Sequence, residues 1–169
     1  MTERILVVGG NAAGMTAASR AKRLDPSLSV TVLEAGRRIA YSICGLPFAV
    51  AGLVGLEDLE LFTPETLKNE RGIDALLNRE AIEIELSRKR VIAVNRATGE
   101  RETHLYDRLL LATGYRPLAP LVEGTGLQGV FTASRLEDGE SILSFLSSSR
   151  RAVILGGGYV GLEMAEALA

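Results

Sequence analysis

Arg4-Ile5-Leu6-Val7-Val8-Gly9-Gly10-Asn11-Ala12-Ala13-Gly14 begins as an apolar, β-branched run and breaks into glycines. Such a run suits a strand buried on both faces of a parallel sheet. Gly9 permits a tight turn, and Gly14 permits the next helix to pack closely on the strand. That helix is expected from about Ala13 to Leu24, where Asp25-Pro26 ends it. Ser29 to Leu33 reads as a second strand, closed by Glu34. Glu34 stands twenty residues past Gly14, the spacing of a carboxylate that bonds a ribose hydroxyl. Strand, glycine turn, helix, strand and acid in this order predict an α/β nucleotide-binding fold. Asn11 holds the place of the middle glycine. Asparagine tolerates unusual φ, but its side chain crowds the approach of a pyrophosphate.

Downstream, Thr63 suits a helix N-cap and Pro64 a first helical position, so a short helix to about Arg71 is expected. Ala81 to Leu86 and Arg90 to Val94 alternate apolar and polar residues, as antiparallel strands do. Ala97 to Glu100 forms the turn to a further strand at about Glu102 to Leu105. Tyr106 to Leu111 reads as another buried strand, running into Ala112-Thr113-Gly114. Glu137 to Leu146 has helical spacing, and Ser147-Ser148-Ser149 reads as a loop. Arg151 to Leu155 is expected as a strand, followed by the turn Gly156-Gly157-Gly158 and a helix from Tyr159 to Ala169. Gly156, Gly158 and Gly161 form GxGxxG between a strand and a helix, the context that makes this pattern informative.

The chain has 169 residues, 47% hydrophobic and 24% charged, so a core is readily buried. A net charge of −2 gives no case for nucleic acid or an anionic membrane as the main partner. No apolar run reaches the ~18 residues of a membrane span. Met1 to Arg4 leads into a strand without a signal-peptide profile. A single cysteine forms no internal disulfide framework, and a reducing cytoplasm is the expected location. No metal site is read.

That cysteine lies in Tyr41-Ser42-Ile43-Cys44-Gly45-Leu46-Pro47-Phe48. A lone cysteine is ordinarily a small buried hydrophobe. Here it is expected to open a helix, where backbone N–H groups stabilise a thiolate. With no second cysteine to resolve a mixed disulfide, Cys44 would pair with an external thiol, or pass through a persulfide or sulfenate.

The glycine turn, Cys44-Gly45-Leu46-Pro47, Thr63-Pro64-Glu65, Ala112 to Pro117 and Gly156 to Gly161 occur in one order. Together they resemble the N-terminal part of a single-cysteine disulfide reductase of the coenzyme A-disulfide reductase type. That type belongs to the pyridine nucleotide-disulfide oxidoreductases, near the NADH oxidases. The resemblance implies a Rossmann-like FAD-binding fold with a small antiparallel insert over 1–120. A linker and the start of a truncated NAD(P)-binding Rossmann-like fold follow over 121–169. It also implies FAD at Gly9, Asn11, Ala12, Ala13, Gly14 and Glu34, with Ala112, Thr113 and Gly114 against the flavin nucleotide. NADH or NADPH is implied at Gly156, Gly158, Gly161, Glu163 and Tyr159, the tyrosine covering the nicotinamide pocket.

Cys44 is the implied catalytic residue, in the reduction of a low-molecular-weight disulfide or persulfide such as coenzyme A disulfide. Thr16 and Arg23 match the residues that hold the nucleotide end of coenzyme A. Arg20 stands where glutamine is familiar and Arg71 where lysine is. Such side chains are also the usual solvated face of a helix. Ala40 and Ile43 replace a serine and an asparagine flanking the cysteine, which removes hydrogen bonds from the pantetheine end. NADH oxidase chemistry through a sulfenate is the rival. Its histidine in the first glycine turn is replaced by Ala12, and the single histidine, His104, is expected at the surface. A nucleotide-binding fragment without turnover, or a flavin electron-transfer reductase with an incidental cysteine, are further alternatives. The chain is read as a fragment of a homodimeric protein and is not expected to turn over substrate by itself.

Overall fold

The computed structural model describes residues 2–118 and 122–169. In chain order the elements are β1 (Arg4–Val8), α1 (Ala12–Leu24), β2 (Ser29–Leu33), α2 (Leu46–Val50) and α3 (Pro64–Arg71). They continue with β3 (Ile73–Leu76), β4 (Arg79–Glu85), β5 (Arg90–Asn95), β6 (Arg101–Leu105) and β7 (Arg108–Leu111). The last two helices are α4 (Leu136–Leu146) and α5 (Tyr159–Ala167). Single 3-10 turns cover Ile43–Gly45 and Glu57–Leu59. The described residues form two compact units, 2–41 with 60–114, and 42–59 with 115–118 and 122–169. The boundary expected at 120/121 lies outside the described residues.

In the first unit a parallel sheet runs in the order β3-β2-β1-β7, beside an antiparallel sheet β4-β5-β6. The alternation along β1 explains its continuous apolar run. Val7 faces a cluster with Met15, Ala18, Val30, Val32, Leu67 and Ile73, under α1 and α3. Leu6 faces the opposite cluster, with Leu33, Val91, Ala93 and Tyr106. Both faces are therefore covered, as a parallel strand requires. Removing the fully buried Leu67 side chain beyond Cβ would cost about 2–5 kcal/mol.

The sequence reading did not assign β3. Ile73-Asp74-Ala75-Leu76 carries little strand propensity of its own. Its pairing with Val30–Leu33 makes it a strand. Conversely β7 starts at Arg108 rather than Tyr106, because Asp107 turns to accept hydrogen bonds from Arg4. α3 matches its expectation, with Thr63 capping at Thr66 N, Pro64 at its start and Gly72 at φ +63° after its end.

The second unit packs Leu46 and Val50 of α2 with Ile142 of α4 and Met164 of α5. Gly139 lies so near Leu46 that a Cβ would approach its Cδ1 to 2.4 Å, which fixes α4 closely on α2. Residues 151–155 form no strand, contrary to the sequence reading. A strand is defined by its ladder, and among the described residues none pairs with this run. Val153 and Leu155 are exposed accordingly. No helix among the described residues is long and apolar enough to cross a membrane.

Candidate functional site

β1 delivers the chain to Gly9, which sits at φ +106°, a conformation that disfavours any side chain. A Cβ there would lie 2.1 Å from the carbonyl oxygen of Ala112. Ala112 N also donates to Val8 O at 2.8 Å, so the segment after β7 lies against the glycine turn. Ala112 and Thr113 are thus brought beside Gly9, and Gly114 follows them at φ +68°. At Gly14 a Cβ would meet Gly9 O at 1.9 Å, which accounts for the second glycine.

Asn11 is the N-cap of α1 but makes no side-chain cap hydrogen bond, and the first turn holds no acidic residue. The first-turn N–H groups, at Ala12, Ala13 and Gly14, lack intrahelical acceptors and form a ready anion site. Beside them, Glu34 accepts from Gly10 N through Oε2 and from Gly36 N through Oε1, each at 2.7 Å. The residues present therefore fit a dinucleotide: an open helix end for phosphate, and a fixed carboxylate for a ribose.

Thr16, Arg20 and Arg23 are exposed on α1, and Arg71 is exposed at the end of α3. Helical geometry puts the three α1 residues within a sector of ~60°. Arg71 joins them by donating to Ser19 Oγ at 2.8 Å.

The second unit holds the cysteine. Cys44 is exposed, in the 3-10 turn two residues ahead of α2 rather than in a helical first turn. α2 is a single short turn of five residues. Cys44 lines a cavity of about 160 Å³ with Pro47, Tyr115, Val160, Glu163 and Met164. Glu163 is the carboxylate of this otherwise apolar lining. Tyr159, expected over the nicotinamide pocket, is 90% exposed and not part of the cavity wall. Tyr115, Val160 and Met164 escaped the sequence reading. The i, i+3, i+4 spacing of Val160, Glu163 and Met164 was the available signal.

The second glycine turn repeats the first. Gly156 is at φ +114°, and a Cβ on Gly161 would lie 2.2 Å from Gly156 O, as Gly14 does against Gly9. Gly158 occupies the N-cap of α5. Each member lies the same distance along the chain from its counterpart among Gly9, Asn11 and Gly14. This turn is encoded locally, since it forms with no strand ladder before it among the described residues.

His104 differs from the expected surface residue. Its side chain is 17% exposed on β6, with Nε2 3.3 Å from Glu102 Oε2. Glu102 also holds Arg79, which keeps its carboxyl below the usual range.

Residues 3–169 match the family described as pyridine nucleotide-disulphide oxidoreductase. The chain belongs to this family. Its members are oxidoreductases that work with FAD and NAD(P)H. Among curated proteins, the chain is 41% identical over 171 residues to the NAD(P)H coenzyme A polysulfide/persulfide reductase of Pyrococcus horikoshii. That match covers 100% of the chain and 38% of the relative. An NADH oxidase of Methanocaldococcus jannaschii is 34% identical over 98% of the chain and 37% of its own length. Among solved structures, the NAD-dependent persulfide reductase of A. fulgidus superposes with a TM-score of 0.92 at 40% identity. It covers 98% of this chain and 32% of its own. The chain spans 36% to 38% of the length of the curated relatives it matches.

Proposed function

We propose that the intact protein reduces a low-molecular-weight disulfide or persulfide, such as coenzyme A disulfide, at the expense of NADH or NADPH. The observation that carries this reading is Cys44, exposed on an apolar cavity rather than sealed in a core. As a thiolate, its Sγ attacks one sulfur of R–S–S–R, forming Cys44–S–S–R and releasing RS⁻, which takes up a proton. Two electrons and a further proton then reopen the mixed disulfide to the Cys44 thiolate and RSH. When bound, the flavin and nicotinamide would supply that electron pair. For a persulfide R–S–SH the same two electrons, with two protons, yield RSH and hydrogen sulfide.

Around that step, residues 1–120 hold FAD. Gly9, Gly14 and the N–H groups from Ala12 onward take the pyrophosphate, Glu34 the ribose, and Ala112 to Gly114 the flavin nucleotide. Residues 121–169 begin the nicotinamide-binding part, with Gly156, Gly158 and Gly161 as its phosphate turn and Glu163 on the same helix. Thr16, Arg20, Arg23 and Arg71 hold the phosphates of the thiol carrier. The names of the relatives support this substrate class.

The test is NAD(P)H consumption by the intact protein with coenzyme A disulfide in anaerobic buffer, beside the same protein with oxygen alone. Disulfide-dependent consumption that Cys44→Ser abolishes is expected. Consumption driven by oxygen and indifferent to the disulfide would replace this reading with NADH oxidase chemistry.

A further inference from the structure

Arg71 closes α3, and two separate contacts fix its guanidinium. Nη1 donates to Ser19 Oγ on α1 at 2.8 Å, and the guanidinium carbon lies 4.2 Å from the centre of the Phe62 ring. Phe62 is half-buried against the cluster of Val7, Met15 and Leu67, so the ring is itself a fixed platform. Among the described residues no carboxylate lies within ion-pair distance of Arg20, Arg23 or Arg71. By contrast Arg4, Arg38, Arg79, Arg90 and Arg96 each hold one. An uncompensated guanidinium held by a ring and a hydroxyl is arranged for an incoming anion, and its ordering cost has been met before binding.

We propose that Phe62 and Ser19 are positioning residues that hold Arg71 ready for a phosphate of the thiol carrier. The inference rests on the assignment of the α1 arginines and Arg71 to the carrier's nucleotide end, and adds to it how the charge is set. A guanidinium stacks on a ring and donates from a planar edge together. An ammonium at the same place does not reproduce both contacts.

The experiment compares KM and kcat of the intact protein for coenzyme A disulfide and for pantethine, which offers the same disulfide without the nucleotide phosphates. Phe62→Leu keeps apolar bulk but removes the ring, and Phe62→Tyr restores it. Phe62→Leu is expected to raise KM for coenzyme A disulfide about two- to five-fold at unchanged kcat. KM for pantethine should stay at the wild-type value, and Phe62→Tyr should behave as wild type. Ser19→Ala, which leaves the core intact, should show the same split in direction. Equal shifts for both substrates, or no shift for coenzyme A disulfide, would overturn the proposal while leaving the arginine assignment standing. If the wild-type protein itself shows one KM for both substrates, the arginine assignment fails, and this inference with it.

Discussion

Gly10 N donates to Glu34 Oε2 at 2.7 Å, tying the carboxylate at the end of β2 to the glycine turn after β1. Gly36 N holds the other oxygen at 2.7 Å. The carboxylate is therefore oriented in advance for the ribose that the proposed function assigns to it. An ionised carboxylate offers about four lone-pair sites, so two backbone donors leave room for ribose hydroxyls.

Glu34→Ala should weaken FAD binding to the intact protein by about 1.5–3 kcal/mol, or roughly ten- to a hundred-fold, the usual worth of hydrogen bonds to a charged group. Glu34→Gln should lose nearly as much, because its amide NH₂ would face one of the two backbone N–H donors. Titration of flavin fluorescence measures both, and unchanged affinity in Glu34→Ala would remove Glu34 from the site.

Two glycines separate packing from conformational cost. At Gly14 a Cβ would stand 1.9 Å from a backbone oxygen, which cannot swing away as a side chain would. At Gly99, φ is +79° but nothing lies within 4 Å. Gly99→Ala should cost about 1–2 kcal/mol of backbone strain. Gly14→Ala should cost roughly 3 kcal/mol or more, since helix and strand must part. Thermal unfolding should rank them so, and equal Tm losses would contradict the close approach.

Acid should destabilise the first unit through its carboxylates. Arg4 donates to Asp107 from its side chain and its backbone N–H, holding the Asp107 carboxyl at about 2. Arg90 holds Glu85 low, and Arg79 holds Glu102 low. A carboxyl held below its unfolded value stabilises the fold above that value, and the benefit is lost as pH falls through the folded value. For Asp107 the window runs from its ordinary 3.8 down to about 2. Tm should fall across this range, and Asp107→Asn should flatten part of the slope. The pair is solvent-exposed, so the effect should be modest and should shrink in high salt. A Tm independent of pH between about 4 and 2 would count against these pairings.

Local chemistry was legible in the sequence, and long-range pairing was not. Gly9, Gly14 and Glu34 could be read because turn, packing and spacing constrain residues near one another in the chain. The Thr63 cap of α3 was legible for the same reason. β3 was not, because Ile73-Asp74-Ala75-Leu76 becomes a strand through a partner forty residues earlier. Arg151 to Leu155 failed in the opposite direction, having strand composition without a partner strand among the described residues. Cys44 shows an intermediate case. Pro47 near the start of α2 was readable, but the 3-10 turn that carries the sulfur ahead of that helix was not.

Cys44 carries the chemical prediction that the fold alone does not make. It is the single cysteine of the chain, so modification stoichiometry has one meaning. Being exposed, it should react with one equivalent of a thiol reagent in the native protein, at a rate near that in denaturant. Protection of the native thiol would place the sulfur in a closed core and undo the reading. Cys44→Ser should fold normally, because exposed substitutions away from caps and cores usually change stability by no more than about 0.5 kcal/mol. FAD affinity should also persist, since the residues assigned to its phosphate and ribose lie in the turn after β1, the first turn of α1 and the end of β2. Disulfide reduction should be lost, because a hydroxyl does not form or reopen a mixed disulfide. A Cys44→Ser protein that still reduces coenzyme A disulfide at the wild-type rate would make the cysteine incidental, and would leave a flavin electron-transfer reductase in its place.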